Sequence, residues 1–282
     1  MDNILNNAID YCIENYINDI EKLENIPAEN FYFSYKFVNK HIFNLKNSFE
    51  IIINSIENID DVINLFKVSN VNTKLNKTDL KINTISIAPY YLCNNLLENN
   101  CDNCSICYGA KNEKYKNVLK YRLNNYIFFL ILEYLYNNDY LTYKNILYNA
   151  IDLNKDKLTE IIRINQQSDI KNNTVLSILN DMLLYIKMKY NIKTVFYTYS
   201  KTKNLKFNML NKDFIINKSV PIIYKAENLI KYENENNIFI TINKNIKFNE
   251  ISIKNKYLCR NNCGDCQNCI KNNNTVTLCY KH

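Results

Sequence analysis

Apolar residues recur at three- and four-residue steps from the start of the chain: Ile4, Leu5, Ala8, Ile9, Cys12, Ile13, Tyr16, Ile17 and Ile20, with acidic residues between them. That period predicts an amphipathic helix, with Cys12 as a small core residue. Phe49 to Phe66 has a similar pattern, so residues 1–65 read as a helical extension. Residues 67–83 are polar and read as a loop. Thr84 to Ala88 is a short apolar run ended by Pro89, the pattern of a strand leading into a loop.

Further along, Lys111 to Tyr136 predicts one long helix or two short ones, and Leu141 to Leu153 another. Glu160 to Asn165 reads as a strand, followed by the polar turn QQSDIKNN and a helix from Thr174 to Tyr190. Lys193 to Tyr199 is a strand, Leu205 to Leu210 a short helix, and Phe214–Asn217, Pro221–Tyr224 and Ile238–Ile242 are short strands. Alternation of strand and helix predicts an α/β fold, either a partial (β/α) barrel or an open, mainly parallel sheet. The expected organisation is a helical extension over 1–65, an α/β domain over 66–250 and a cysteine-rich, metal-binding segment over 251–282. In parallel sheets the reactive groups gather at the carboxyl ends of the strands. The loops after the first three predicted strands would therefore share one rim.

Composition changes this picture in three places. A hydrophobic content of 47% in 282 residues excludes a wholly disordered chain. The longest apolar run, Tyr126 to Leu132, is far below the roughly 20 residues that span a bilayer, and MDNILNNAID is too acidic and polar for a secretory leader. A cytoplasmic protein with no membrane association is expected. The net charge of +7 comes from dispersed lysines. That pattern reads as solvated surface, with weak affinity for nucleic acid as the alternative.

The third change is the cysteines. Nine of the 10 cluster towards two points. Cys93, Cys101, Cys104 and Cys107 have the spacing C-x7-C-x2-C-x2-C, and Cys259, Cys263, Cys266 and Cys269 have C-x3-C-x2-C-x2-C, with Cys279 and His282 close behind. A C-x2-C step lets a short loop bring two sulfurs to one ion. Residues 108–258 between the groups contain no cysteine, unlike a disulfide knot spread through a small secreted domain. Metal ligation is therefore favoured, as 4Fe–4S clusters or as zinc, because thiolates serve both. Either Cys279 or His282 would be able to replace a ligand, and a shared zinc site of Cys104, Cys107, Cys266 and Cys269 is a further alternative. The only glycines, Gly109 and Gly264, each lie beside a cysteine group.

The second group begins with the C-x3-C-x2-C spacing used by radical S-adenosylmethionine enzymes, but only residues 267–282 follow Cys266, too few for a barrel. Several motifs resemble a family of phage proteins called gene product eighty-eight. These are SNVNTKLNK (Ser69–Lys77), CYGA (Cys107–Ala110), the SDI step (Ser168–Ile170), FYTYSKTKNL (Phe196–Leu205) and the terminal cysteine group with His282. The resemblance covers roughly residues 65–282. Gln167 stands where that family's pattern has a glycine. The cysteine-then-CY opening is also similar to distant relatives of the radical S-adenosylmethionine barrel. That resemblance implies an iron–sulfur enzyme binding S-adenosylmethionine at the first cluster, in the host cytoplasm if the protein is phage-encoded.

Candidate residues follow. Asp169 and Arg163 are candidate catalytic groups: an acid or base near a strand end, and a guanidinium suited to a carboxylate or phosphate. Asp169 with Ser168 would alternatively cap the next helix, and Arg163 would form an ion pair. Tyr108, Gly109, Ser168, Tyr197, Tyr199 and Lys201 are candidate cofactor-binding residues. Tyr197, Tyr199, Lys201 and Lys203 form an aromatic–basic strand end able to stack on a base and hold phosphate, though core and surface filling is the plainer reading. Arg122 reads as a solvated or paired side chain. The alternative function is a zinc-stapled protein that binds nucleic acid or modifies its bases. A nucleic-acid or nucleotide-like partner fits both functions.

Overall fold

The computed structural model describes residues 2–31, 35–69, 81–98, 113, 115–165, 168–202, 204–206, 208, 210–233, 235, 237–259, 268–270 and 275–280. Among them seven strands, β1 (Ile82–Ile85), β2 (Ile161–Ile164), β3 (Val195–Ser200), β4 (Phe214–Ile223), β5 (Ile238–Ile242), β6 (Lys256–Leu258) and β7 (Val276–Tyr280), form one sheet in the order β1-β2-β3-β4-β5-β7-β6. Every pairing between these strands is parallel. An antiparallel bridge from Ser69 to Thr84 lies beside β1. From β1 to β5 the spatial order follows the chain order without reversal, so right-handed crossovers place their connecting elements on one face. The sheet is open, with β1 and β6 at its edges.

Among the described residues, seven helices precede or link the early strands: α1 (Asp2–Glu24), α2 (Tyr35–Ile53), α3 (Ile59–Leu65), α4 (Asn94–Leu97), α5 (Lys116–Asn138), α6 (Tyr140–Leu153) and α7 (Asn173–Tyr190). Helix α5 is apolar around nearly its whole circumference, with Leu123, Ile127, Phe128, Ile131 and Leu132 fully enclosed. Such a helix needs neighbours on all sides; α1, α2, α3, α6 and α7 supply them. One hydrophobic cluster runs from Leu5 and Cys12 through α5 to Ile85, Ile162 and Phe196 of the sheet. The helices of 1–65 therefore share the core of the α/β portion. Cys12 is a core residue, with no exposure.

The pattern over Phe49–Phe66 is not one helix. Chain direction changes after Ile53, and Asn58 starts α3 through a capping box: its Oδ1 accepts from Asp60 N and Asp61 N, while Asp61 accepts from the Asn58 N–H. The first strand begins two residues before the expected Thr84 and ends at Ile85; Pro89 opens a short 3-10 turn over Tyr90–Leu92. Phe214–Ile223 is one strand where two were expected. The register shift between Val220 and Ile223 lets the chain pass Pro221, which has no N–H to donate. The expected helix at 205–210 includes residues 207 and 209, outside the described residues. Strands β6 and β7, three and five residues long, were not anticipated.

The two faces of the sheet differ. On the helix-covered face lie Ile85, Ile162, Ile164, Phe196 and Phe214. Over β4–β7 this face carries a second cluster of Val220, Ile238, Ile240, Ile242, Val276 and Leu278, covered by 3-10 turns rather than helices. On the opposite, inner face, Ile82, Ile161, Tyr197, Ile215 and Ile270 pack together. Tyr199 of β3 and Phe239 of β5 meet on this face at 4.8 Å between ring centroids, across β4. The last of the inner cluster, Ile270, comes from the segment between β6 and β7. Among the described residues no helix is long and apolar enough to cross a membrane.

Candidate functional site

The carboxyl ends of β1, β2 and β3 are joined by buried polar side chains. Asn165, directly after β2, has φ of 54°; asparagine tolerates this left-handed region better than most residues. Its Oδ1 accepts from Ile87 N at 2.9 Å and from Ser168 Oγ at 3.2 Å. Asp169 is 8% exposed. Its Oδ1 accepts from Ile170 N at 2.7 Å and Ser200 Oγ at 2.5 Å. Its Oδ2 accepts from Asn95 Nδ2 at 2.6 Å and Lys201 N at 2.5 Å. A carboxylate offers about four lone-pair positions, and here each has a donor. Burial raises the Asp169 pKa above the usual carboxylate range, opposed by the bonds from Ser200 and the backbone.

This geometry makes Asp169 a clamp between the loops after β1, β2 and β3. Ser168 and Lys201 sit in the same knot, Ser168 through its hydroxyl and Lys201 through its backbone N–H. The helix-cap role belongs instead to Asn172, whose Oδ1 accepts from Val175 N at 3.0 Å.

The first cysteine group leaves this rim. Cys93, buried, ends the 3-10 turn after β1 and is the N-cap residue of α4; Asn95, which holds Asp169, is the second residue after it. Cys101, Cys104, Cys107, Tyr108 and Gly109 lie outside the described residues. The chain is described again at Glu113, which is fully buried. Its Oε1 accepts from Tyr90 N at 3.2 Å and pairs with Arg122 of α5. Arg122 is thus a buried ion-pair partner, 2% exposed. Burial raises the Glu113 pKa, against the pull of Arg122. The Tyr90–Glu113 bond ties the residues before the first cysteine group to those after it, and Arg122 holds Glu113 from α5. Helix α1 also packs against Tyr90–Leu92 and α4, and His41 of α2 stacks on Tyr91 at 5.4 Å, so the N-terminal helices flank the base of this loop.

The second group occupies the connection from β6 to β7. Cys259 follows β6 directly, and its N–H donates to Leu278 O at 2.7 Å. Since Leu258 pairs with Leu278, Cys259 stands beside Cys279. Parallel neighbours need a crossover of a dozen or more residues, commonly a helix. Here the crossover holds the cysteine segment, and its described residues 268–270 lie against the inner face. Asn268 Nδ2 donates to Thr275 Oγ1 at 2.9 Å and Thr277 Oγ1 at 2.8 Å, while Cys269 O accepts from Asn217 Nδ2 of β4 at 3.0 Å. Thr277 faces this segment, so Cys279, two residues on, shares its face. Cys263, Cys266 and His282 lie outside the described residues. Among those described, no group of three or more His, Cys, Asp or Glu side chains is gathered for a metal.

Arg163, Tyr197 and Tyr199 are brought together on the inner face. Arg163 and Tyr197 are register partners, and the Arg163 guanidinium lies 5.2 Å from the Tyr199 ring centroid. Tyr197 is 1% exposed and belongs to the inner apolar cluster. Tyr199 lies beside its register partner Asn217, which holds Cys269 O; burial, then Cys269, pushes the Tyr199 phenol well above its usual pKa. Lys203 is outside the described residues. Sequence reasoning missed Asn95, Glu113, Asn165, Ser200 and Asn217. In a chain so rich in asparagine, single Asn residues carry no signal; Glu113 had one, its place just beyond the first cysteine loop.

The sequence model of a protein family described as Gene product 88 matches residues 64–229. The match takes in the first cysteine group and β1 to β4, while α1, α2 and the second cysteine group lie outside it. No curated protein and no solved structure matches the chain.

Proposed function

The chain belongs to the Gene product 88 family, and we propose from that premise that it is a metalloprotein with two four-cysteine centres, of the iron–sulfur, S-adenosylmethionine-dependent type. One observation carries this reading: both cysteine groups start from carboxyl ends of strands in a single parallel sheet, Cys93 beyond β1 and Cys259 after β6. That is the rim where parallel α/β folds build their reactive sites.

Cys93, Cys101, Cys104 and Cys107 would hold the first centre, and Cys259, Cys263, Cys266 and Cys269 the second, with Cys279 beside Cys259 as a further thiol. The donor chemistry fits, because four thiolates bind an iron–sulfur cluster. When bound, a cluster of this type supplies single-electron chemistry to S-adenosylmethionine. The chain's own contribution is positional. Asp169 fixes the loops after β1 to β3 relative to one another, and the Glu113–Arg122 pair closes the base of the first cysteine loop. Leu92, Leu97, Tyr126 and Phe129 line a small cavity with Asp169 beside the start of the first cysteine group.

A second reading has its own support. The second group lies in the β6–β7 crossover, a segment for which a purely structural zinc would suffice. A zinc-stapled protein acting on nucleic acid would use the centres in that way. Purification without oxygen, followed by visible spectroscopy and analysis for iron, sulfide and zinc, separates the two. A brown protein with iron and sulfide supports the first. A colourless protein with two zinc ions overturns it in favour of the second, and a metal-free protein overturns both.

A further inference from the structure

The cavity at the carboxyl ends of β1 and β2 is bounded by α1, the segment from β1 to α4, α5 and the loop leading into α7. Its walls are mainly apolar, with Leu92, Leu97, Phe129, Leu130 and Val175 among them. Three carboxyl groups also line it: Asp19 of α1, Glu133 of α5 and Asp169. Asn94 and Lys171 are half-buried while the other lining residues are buried, so the mouth lies at these two. The enclosed volume is about 30 Å³, the room that one or two water molecules take.

The three acids are not equivalent. Asp169 already has a donor at each lone-pair position. Asp19 is 5% exposed and accepts from the Tyr126 hydroxyl at 2.7 Å. Glu133 is 6% exposed, and its Oε1 accepts from Asn172 Nδ2 at 2.6 Å. Its Oε2 is buried with no hydrogen-bond partner among the described residues. A carboxylate oxygen left bare out of water is costly. The Lys171 ammonium does not serve it, because Lys171 donates to Asn15 Oδ1 at 3.3 Å.

These constraints select an occupant. An anion would meet acids of its own sign. Among the described residues no three ligating side chains converge for a metal ion, and the apolar walls supply no side-chain oxygen to complete a shell around a hard cation. A primary alkylammonium suits both parts of the lining. Its three N–H donors reach Glu133 Oε2 and the remaining lone pairs of Asp19, and its first carbons lie on hydrocarbon. The volume admits only the ammonium end, so the rest of the molecule leaves through the mouth.

We propose that this cavity binds the primary ammonium end of a small organic amine, with Glu133 and Asp19 as its acceptors and Leu97 and Phe129 against its first carbons. The site is separate from the cysteine groups, and the inference holds whether they carry iron, zinc or no metal.

The test is calorimetric titration of the full chain near neutral pH with ethylammonium chloride, against potassium chloride and tetramethylammonium chloride at equal ionic strength. Ethylammonium is expected to bind at one site, and the other two salts to bind at least about 10-fold more weakly, one lost charged hydrogen bond's worth. Glu133→Gln retains an oxygen for Asn172 and removes the charge; it is expected to weaken ethylammonium about 10- to 100-fold. Leu97→Phe leaves the acids in place and fills the cavity, and is expected to abolish binding, with circular dichroism showing the fold retained. If Glu133→Gln does not fold, the three-salt comparison and Leu97→Phe decide. No binding of ethylammonium by the wild-type chain overturns the inference, the cavity then holding water alone. Equal binding of potassium overturns it in favour of an inorganic cation, and ethylammonium binding untouched by either variant overturns it by placing the amine elsewhere.

Discussion

Asn95 donates to Asp169 Oδ2 at 2.6 Å, so the residue second after Cys93 is tied to a carboxylate beyond the next strand. Together with Ser200, Lys201 and Ile170 it completes a closed set of donors around one buried acid. Asp169→Ala strands all four donors. The expected loss is at least about 3 kcal/mol, given roughly 1–3 kcal/mol for a buried group left unsatisfied. Urea unfolding measures it; a loss below about 0.5 kcal/mol, the range of ordinary surface substitutions, would show that the clamp is not formed.

The same carboxylate sets a pH dependence. Burial raises its folded-state pKa above the ordinary 3.8, and Glu113 is raised from 4.5 for the same reason. An acid whose pKa is higher in the folded state stabilises the fold fully below the unfolded value. That stabilisation is lost as pH rises through the folded value. The contribution of these two acids to stability is therefore expected to fall as pH rises upward from the ordinary carboxylate range, and Asp169→Asn removes the share that belongs to position 169. Unfolding curves taken across that range decide it, and an identical slope in the variant refutes the assignment.

Glu113 and Arg122 form a pair with almost no solvent contact. Removing one partner leaves a buried charge, at a cost of about 3–5 kcal/mol, whereas replacing both with apolar residues of similar size is often close to neutral. Arg122→Met alone should thus destabilise strongly, and the double variant with Glu113→Leu should recover most of the loss. Thermal melts of the two singles and the double provide the comparison. Additive losses would count against the pair.

Asn125 on α5 is wholly buried. Its Oδ1 accepts from Lys67 N at 2.8 Å, and its Nδ2 donates to Lys67 O at 3.0 Å and Ser86 O at 2.9 Å. It thereby holds both chain segments that flank residues 70–80. Asn125→Leu keeps the branched shape and leaves three backbone groups unpaired, with an expected cost of about 3 kcal/mol or more. The readout is the urea midpoint, and a midpoint equal to wild type contradicts the role.

Metal removal should act unevenly if the cysteine centres are occupied. The cluster around α5 is large and closed, while the cluster over β5–β7 is small and lacks a helical cover. After chelation, hydrogen exchange is expected to accelerate at Ile238–Ile242 and Val276–Tyr280 and to stay slow along α5. Uniform loss of protection would show that the centres support the whole chain equally.

How much of this was legible beforehand differed by residue type. Apolar periodicity located α1, α5, α6 and α7, and strands β2, β3 and β5, within a few residues, because each carries a face or run that has to be buried. The cysteine spacing singled out Cys93 and Cys269, and the structure ties Cys269 to Asn217 of β4 through its carbonyl. Pro221 misled, because a missing N–H reads as a break when a bulge also accommodates it. Strand β6 has only Lys256, Tyr257 and Leu258, too short a pattern to register. The rim clamp was half visible. Asp169 stood out beside a strand end, but its partner Asn95 is one asparagine among many, and its meaning comes only from a contact 74 residues away in sequence.

Helix α5 carries a consequence for any attempt to work with less than the full chain. Its outer side is covered by α1 and α2, which lie before the family's span begins at residue 64. A fragment trimmed to 64–229 would bare Leu123, Tyr126, Phe129 and Leu130 to water, leaving a long greasy stripe on its surface. The borders of the shared ancestry and the borders of the smallest soluble piece are different borders in this protein.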